Sequence, residues 1–139
     1  MRIFADTSAL FAYKYKKDAN HIRARAFMEK IAEGELPVKR ICLSDYVFDE
    51  LMTLLRVVAS DVNDVISFGE ELRQSGGFQI LKVEEKIIDS AWEIFKKYKE
   101  MPKLSFTDCT NVALTKAVNL DSIFTYDKHF AKMGMKIIE

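Results

Sequence analysis

The sequence predicts an α/β fold, a mainly parallel sheet covered by helices on both faces, within a single domain spanning residues 1–139. Three observations carry that expectation. Five short apolar runs bounded by polar residues have the length and texture of buried strands. Helical patterns long enough for crossover connections fill the gaps between them. Gly34 with Pro37, Gly76-Gly77 and Pro102 fall between the periodic segments, where the chain must turn or a helix must stop.

The first run, residues 3–5, leads into Asp6-Thr7-Ser8 and a short apolar helix. Residues 19–33 then place Ile22, Ala26, Phe27 and Ile31 on one face of a helix. The second run, residues 41–43, ends in Ser44-Asp45, and the helix after it carries an apolar stripe of Val47, Leu51, Leu54 and Val58. The third run covers residues 78–83 and is followed by a helical pattern over residues 84–99, with Ile87, Ala91, Ile94, Phe95 and Tyr98 on one face. Ser105-Phe106-Thr107-Asp108 has the form of a capping box, opening a helix that carries Cys109, Val112, Ala113 and Ala117. The fourth run, residues 123–124, precedes Thr125-Tyr126-Asp127, and the last is residues 137–138.

Composition limits the function classes. With 49% hydrophobic residues and 30% charged, the chain is neither disordered nor fibrous. Lys plus Arg and Asp plus Glu both number 21, and the sequence pI is about 6.7, so bulk charge announces neither a nucleic acid nor a membrane. Cys42 and Cys109 stand in no metal-binding or redox spacing and are expected to be reduced, as in a cytoplasm. The opening residues meet Asp6 after three apolar positions, too few for a secretion signal or a membrane span.

In parallel sheets, sites gather at the carboxyl ends of strands, so the acids that follow them matter. Asp6 and Asp127 each follow a strand, where an ordinary role is a helix cap or turn. Asp108 has an ordinary role as a capping-box acid. Glu50 falls within the apolar stripe of its helix, whereas Asp49 groups with Thr53, Arg56 and Ser60 on the opposite face. An inward carboxylate needs a cation or donors to meet it, and a buried Arg or Lys is the ordinary answer. Together Asp6, Glu50, Asp108 and Asp127 can reach one cleft, where an oxygen-only set of repelling carboxylates suits Mg²⁺ or Mn²⁺. Lys14, Lys16, Lys17 and Lys128 are the local cations that could meet phosphate, while Tyr46, Phe48 and Phe130 flank apolar stripes and read as core or as stacking surfaces.

The order and spacing of Asp6-Thr7-Ser8, Asp18-Ala19-Asn20-His21, Ser44 with Tyr46-Val47-Phe48-Asp49-Glu50-Leu51, Leu104-Ser105-Phe106-Thr107-Asp108 and Thr125-Tyr126-Asp127-Lys128-His129-Phe130 resemble the PIN-domain ribonucleases, and among them the VapC toxins of toxin–antitoxin pairs. The resemblance implies a five-stranded sheet in the order 3-2-1-4-5. It makes Asp6, Glu50 and Asp108 the core catalytic and metal-binding acids and Asp127 the fourth, with Thr7 or Thr125 as supporting hydroxyls. It also implies an RNA substrate cut to a 5′-phosphate and a 3′-hydroxyl, a homodimer, and a VapB-type antitoxin lying across the site.

Rival readings leave different marks. A metal-free ribonuclease using His21 and His129 as acid and base would ignore a chelator. A phosphoryl-accepting receiver domain would label with acetyl phosphate. A housekeeping RNA-processing nuclease would share every acid but have no antitoxin, and a catalytically weak binding module would hold metal without cutting RNA.

Overall fold

The strands β1 (Arg2–Ala5), β2 (Arg40–Ser44), β3 (Phe78–Leu81), β4 (Ser122–Phe124) and β5 (Ile137–Ile138) form one sheet in the order β3-β2-β1-β4-β5 in a computed structural model describing residues 1–139. Every strand pair is parallel, with Ile3 of the central strand opposite Ile41 on one side and Ser122 on the other. Ile3, Phe4 and Ala5 are all fully buried. Successive strand side chains point to opposite faces, so burial of three in a row means that helices cover both faces of the sheet.

The helices are α1 (Thr7–Lys14), α2 (His21–Ala32), α3 (Asp45–Val58), α4 (Val62–Gln74), α5 (Glu85–Lys97), α6 (Phe106–Ala117) and the short α7 (His129–Lys132). None is long and apolar enough to cross a membrane. The sequence reading did not single out α4. Asp61 caps it, accepting from the Asn63 amide at 2.9 Å, and it buries Val65, Phe68, Gly69 and Leu72 on one face. Glycine at 69 permits the close approach of α3, because a Cβ there would stand 3.1 Å from the Met52 sulfur.

Two helices are rotated from the faces expected of them. In α2 the buried residues are Ala24 and Phe27, with Met28 and Ile31 half-buried, while Ala26 is exposed and Ile22 is 83% exposed. The spacing 24, 27, 28, 31 is as helical as the stripe that includes Ile22, and packing against α1 selects it. In α3, Val47, Leu51 and Leu55 are buried, and Leu54 and Val58 are exposed. In α5 the expected face is kept, with Ala91 buried against α6 and Ile87, Ile94 and Tyr98 packed on the core, and Phe95 alone of that face is exposed. The third strand stops at Leu81, short of the expected residue 83. Val83 is still buried, and its amide bonds to Asp45 Oδ1 at 3.0 Å, which fastens the start of α5 to α3.

Ser44 ends β2 and caps α3, its buried Oγ accepting from the Val47 amide at 3.0 Å. This cap sets where α3 leaves the sheet and therefore where Glu50 stands. Ser44→Ala should cost about 1 kcal/mol, lowering the midpoint of thermal unfolding by about 4 °C. An unchanged melting curve would mean that α3 does not depend on the cap.

Candidate active site

The strand order reverses at β1. The chain moves from β1 to β2 and β3 on one side, then returns to place β4 on the other. The crevice outside the carboxyl ends of β1 and β4 is thus the switch point at which open parallel sheets bind ligands. Asp6 follows β1 there, and its amide extends the ladder by donating to the Phe124 carbonyl at 3.0 Å.

Asp6 occupies the N-cap position of α1, yet its side chain makes no cap hydrogen bond. Its carboxylate, on a residue only 5% exposed, accepts three side-chain bonds instead. Ser8 Oγ donates to Oδ2 at 2.8 Å, Thr125 Oγ1 to Oδ2 at 2.9 Å, and Asn111 Nδ2 to Oδ1 at 3.2 Å. Both hydroxyls are held in turn by backbone amides, Ser8 Oγ by Tyr126 at 3.2 Å and Thr125 Oγ1 by Asp127 at 3.0 Å. Burial pushes the Asp6 carboxyl up to about 6, and the charge of Asp108 adds to the rise against the opposing pull of Ser8 and Thr125.

Asp108 keeps its capping-box role and adds to it. Its amide donates to Ser105 Oγ at 3.0 Å while its Oδ2 accepts from the Ser105 amide at 3.2 Å. Burial raises its carboxyl above the ordinary range, and the charges of Asp127 and Glu50 raise it further. Asp108 therefore links the acids, feeling Asp127 and Glu50 and acting in turn on Asp6. Asp127 makes its expected turn, accepting from the His129 amide at 2.9 Å.

Ligand atoms of Asp108, Asp127 and His129 lie within 4.8 Å of one another, an arrangement able to hold a metal ion. Asp6 and Glu50 stand outside that tight group. His129 is a half-buried member of the acid cluster, its Nδ1 lying 3.1 Å from Asp127 Oδ1. His21 is placed for a structural task, its Nδ1 lying 2.7 Å from the Ala12 carbonyl, where it ties α2 to α1.

Glu50 lines a cleft of about 350 Å³ with Tyr46, Asp49, Thr53, Leu54 and Thr107. The ordinary explanation for an inward glutamate fails, because no ion pair in the structure involves Glu50, Asp6 or Asp108. Asp49 is exposed as expected, but it opens onto the same cleft as Glu50. Of the two expected supporting hydroxyls, Thr125 bonds to Asp6, whereas Thr7 is buried with no partner for its Oγ1. Lys14, Lys16 and Lys17 line a separate cleft with Leu55, Asp61, Asp64 and Phe68, not the cleft that Glu50 lines. Lys128 is exposed beside Asp127, and Phe130 is buried in the core.

Sequence reasoning missed Ser8 and Asn111. Ser8 lies two residues from Asp6, the spacing of a local hydroxyl–carboxylate contact, and Asn111 shares a face of α6 with Asp108 at i+3. The contact between Asn111 and Asp6 joins residues 105 apart and leaves no trace in a local pattern.

Comparison with known proteins agrees with this geometry. The family model for the PIN domain matches residues 3–136. A VapC ribonuclease of Archaeoglobus fulgidus is 24% identical over 131 residues, covering 94% of this chain and 80% of that protein. The solved structure of Mycobacterium tuberculosis VapC20, a sarcin-ricin-loop-cleaving toxin, superposes with a TM-score of 0.81 at 23% identity, over 96% of this chain and 95% of that one. FitAcB from Neisseria gonorrhoeae superposes with a TM-score of 0.67 at 18% identity, over 100% of this chain and 97% of that one. A toxin–antitoxin complex from Klebsiella pneumoniae gives 0.64 at 14% identity, over 99% of this chain and 96% of that one. With its acids gathered at the end of a 3-2-1-4-5 parallel sheet and the family pattern running through nearly its whole length, the chain belongs to the PIN domain family.

Proposed function

We propose that the protein is a divalent-metal-dependent endoribonuclease that hydrolyses RNA phosphodiester bonds, and that it is the toxin of a VapBC-type pair. The observation that carries this reading is the buried Asp6 carboxylate, which has three hydrogen-bond donors, feels the charge of Asp108, itself raised by Asp127 and Glu50, and has no cationic side chain paired with it. Such a group is costly without a positive charge to meet it. Oxygen donors from Asp6, Glu50, Asp108 and Asp127 fit a hard ion, Mg²⁺ or Mn²⁺. When bound, the ion supplies positive charge for the scissile phosphate and lowers the pKa of an attacking water.

The protein's own residues do the positioning. Ser8 and Thr125 hold one Asp6 oxygen, and the Ser105 capping box holds one Asp108 oxygen at the start of α6. Glu50, which has no bonded partner, projects from α3 into the cleft where an RNA phosphate would lie. Attack by water leaves a 5′-phosphate and a 3′-hydroxyl, with the RNA 2′-hydroxyl uninvolved. The test is cleavage of end-labelled RNA by purified protein with Mg²⁺ or Mn²⁺, with and without chelator. Cutting that survives chelation would overturn the reading.

The likeness to VapC and to toxin–antitoxin complexes supports a cytoplasmic role beside an antitoxin partner. A homodimer is supported by an exposed aromatic face on α5 and α6. Trp92 and Phe95, 51% and 37% exposed, stack with ring centroids 5.6 Å apart, and Phe106 meets both edge-on. Apolar surface of this kind beside a site is what a second copy would cover. Trp92→Glu should halve the mass measured by light scattering while leaving the helix content unchanged. A wild-type protein that is already monomeric would remove the dimer.

A further inference from the structure

Resting on the nuclease reading above, we propose that Asn111 is a positioning residue that acts through Asp6, directing the open side of that carboxylate to a cation. Asn111 is fully buried on α6, three residues after Asp108 and on the same helical face. A carboxylate offers about four lone-pair sites across its two oxygens. On Asp6, Ser8 and Thr125 occupy both sites of Oδ2, and Asn111 occupies one site of Oδ1. The open side of the carboxylate, on which the nearby Thr7 amide also acts, is then on Oδ1, and the Asn111 amide decides how that oxygen is presented. Without that donor, the side chains hold the carboxylate only through the far oxygen.

A second observation separates this from a packing role. The Asn111 Oδ1 atom is itself buried with no hydrogen-bond partner. A buried asparagine kept only for the fold ordinarily has both ends of its amide bonded. Here the donor end is spent on Asp6 and the acceptor end is left for an incoming donor. A water accompanying a hydrated Mg²⁺ or Mn²⁺ is of that kind, because Mg²⁺ in particular enters sites with several waters retained.

The test compares the full-length wild type with Asn111→Leu, which keeps the branching and the number of side-chain heavy atoms and removes both amide ends, and with Thr115→Val. Thr115 is buried one turn further along α6 and its hydroxyl makes no hydrogen bond to Asp6, so it controls for disturbance of the helix. Mn²⁺ affinity is measured by calorimetry on cation-free protein, and kcat and KM for RNA cleavage are measured at saturating Mn²⁺. Asn111→Leu is expected to weaken Mn²⁺ binding by about 10- to 100-fold. It should lower kcat while leaving KM for RNA unchanged, and Thr115→Val should behave as wild type.

If Asn111→Leu fails to fold, the wild type answers by NMR. The Asn111 side-chain amide signals should shift as Mg²⁺ is added, along the same saturation curve as the thermal stabilisation, and signals that stay fixed would overturn the proposal. A wild type that binds Mn²⁺ and cuts RNA, with Asn111→Leu equal to it in both, would overturn the positioning role alone. A wild type that neither binds Mn²⁺ nor cuts RNA would overturn the nuclease reading and this proposal with it.

Discussion

Asp6→Asn is expected to abolish RNA cleavage and, in the absence of divalent cations, to make the protein more stable than the wild type. Loss of one charged ligand forfeits several kcal/mol of charge stabilisation, a fall of about 10³-fold or more in rate. The gain in stability follows from burial. The Asp6 carboxyl lies at about 6 in the folded protein against 3.8 for a free side chain. Its folded value is raised, so between about pH 4 and pH 6 the native state keeps a proton that the unfolded chain has released. Stability from this group therefore falls as pH rises through that window, and above it the folded protein carries a constant penalty of about 2–3 kcal/mol.

Asparagine removes that penalty and fits the same partners. Its oxygen can accept from Asn111 Nδ2, and its amide can donate to the hydroxyls of Ser8 and Thr125, which turn to accept. Discounting for that rearrangement, the midpoint of unfolding should rise by about 3–7 °C at pH 7.5. The difference between variant and wild type should shrink steadily as the pH is lowered toward 4.5. Melting curves across that range, followed by circular dichroism without divalent cations, would decide it. A variant less stable than wild type at pH 7.5, or a difference indifferent to pH, would show that Asp6 is not held charged against its burial.

Asp108 supports a sharper separation of fold from chemistry, because one side chain performs two tasks. Its Oδ2 completes the capping box with Ser105 while its charge belongs to the cluster with Asp6, Asp127 and Glu50. Asp108→Asn keeps an oxygen to accept from the Ser105 amide and relieves the repulsion. Cleavage should fall by about 10³-fold with the melting midpoint unchanged or raised by a few degrees. Asp108→Ala loses the cap as well, about 1 kcal/mol, and its midpoint should lie about 4 °C below that of Asp108→Asn. Both variants are expected to be inactive, and that gap in stability is the sign that the two roles are distinct. An Asp108→Asn protein that cuts RNA at the wild-type rate would remove Asp108 from the site.

The five strands were legible in the sequence because the signals are local, although β3 ends two residues earlier than its apolar run. An apolar run a few residues long followed by an acid marks both a buried parallel strand and the edge at which sites collect. Thus the five runs beginning near residues 3, 41, 78, 123 and 137 became the five strands, and Asp6, Asp108 and Asp127 stand beyond strand ends or at a helix start, as expected. The capping box at Ser105 and Asp108 was equally legible, since it needs only a spacing of three residues.

What remained depended on contacts between elements. Periodicity locates a stripe on a helix but cannot say which of two overlapping stripes a neighbouring helix will cover. Hence Ala24 is buried in α2 where Ile22 was expected, and Leu55 in α3 where Leu54 was expected. The same limit applies to Asp49, which lines the cleft of Glu50 although the helical pattern set the two on different faces.

The sequence by itself determined the fold class and the place of the five strands, because each is written within a few residues of chain. Tertiary structure alone decided how Asp6 is held. Ser8, Thr125 and Asn111 converge on it from three separate elements, and two of those contacts span 105 and 119 residues. Only the closing of β1 against β4, with α6 packed beside them, sets those donors around one carboxylate, and that burial, with the charge of Asp108, raises its pKa.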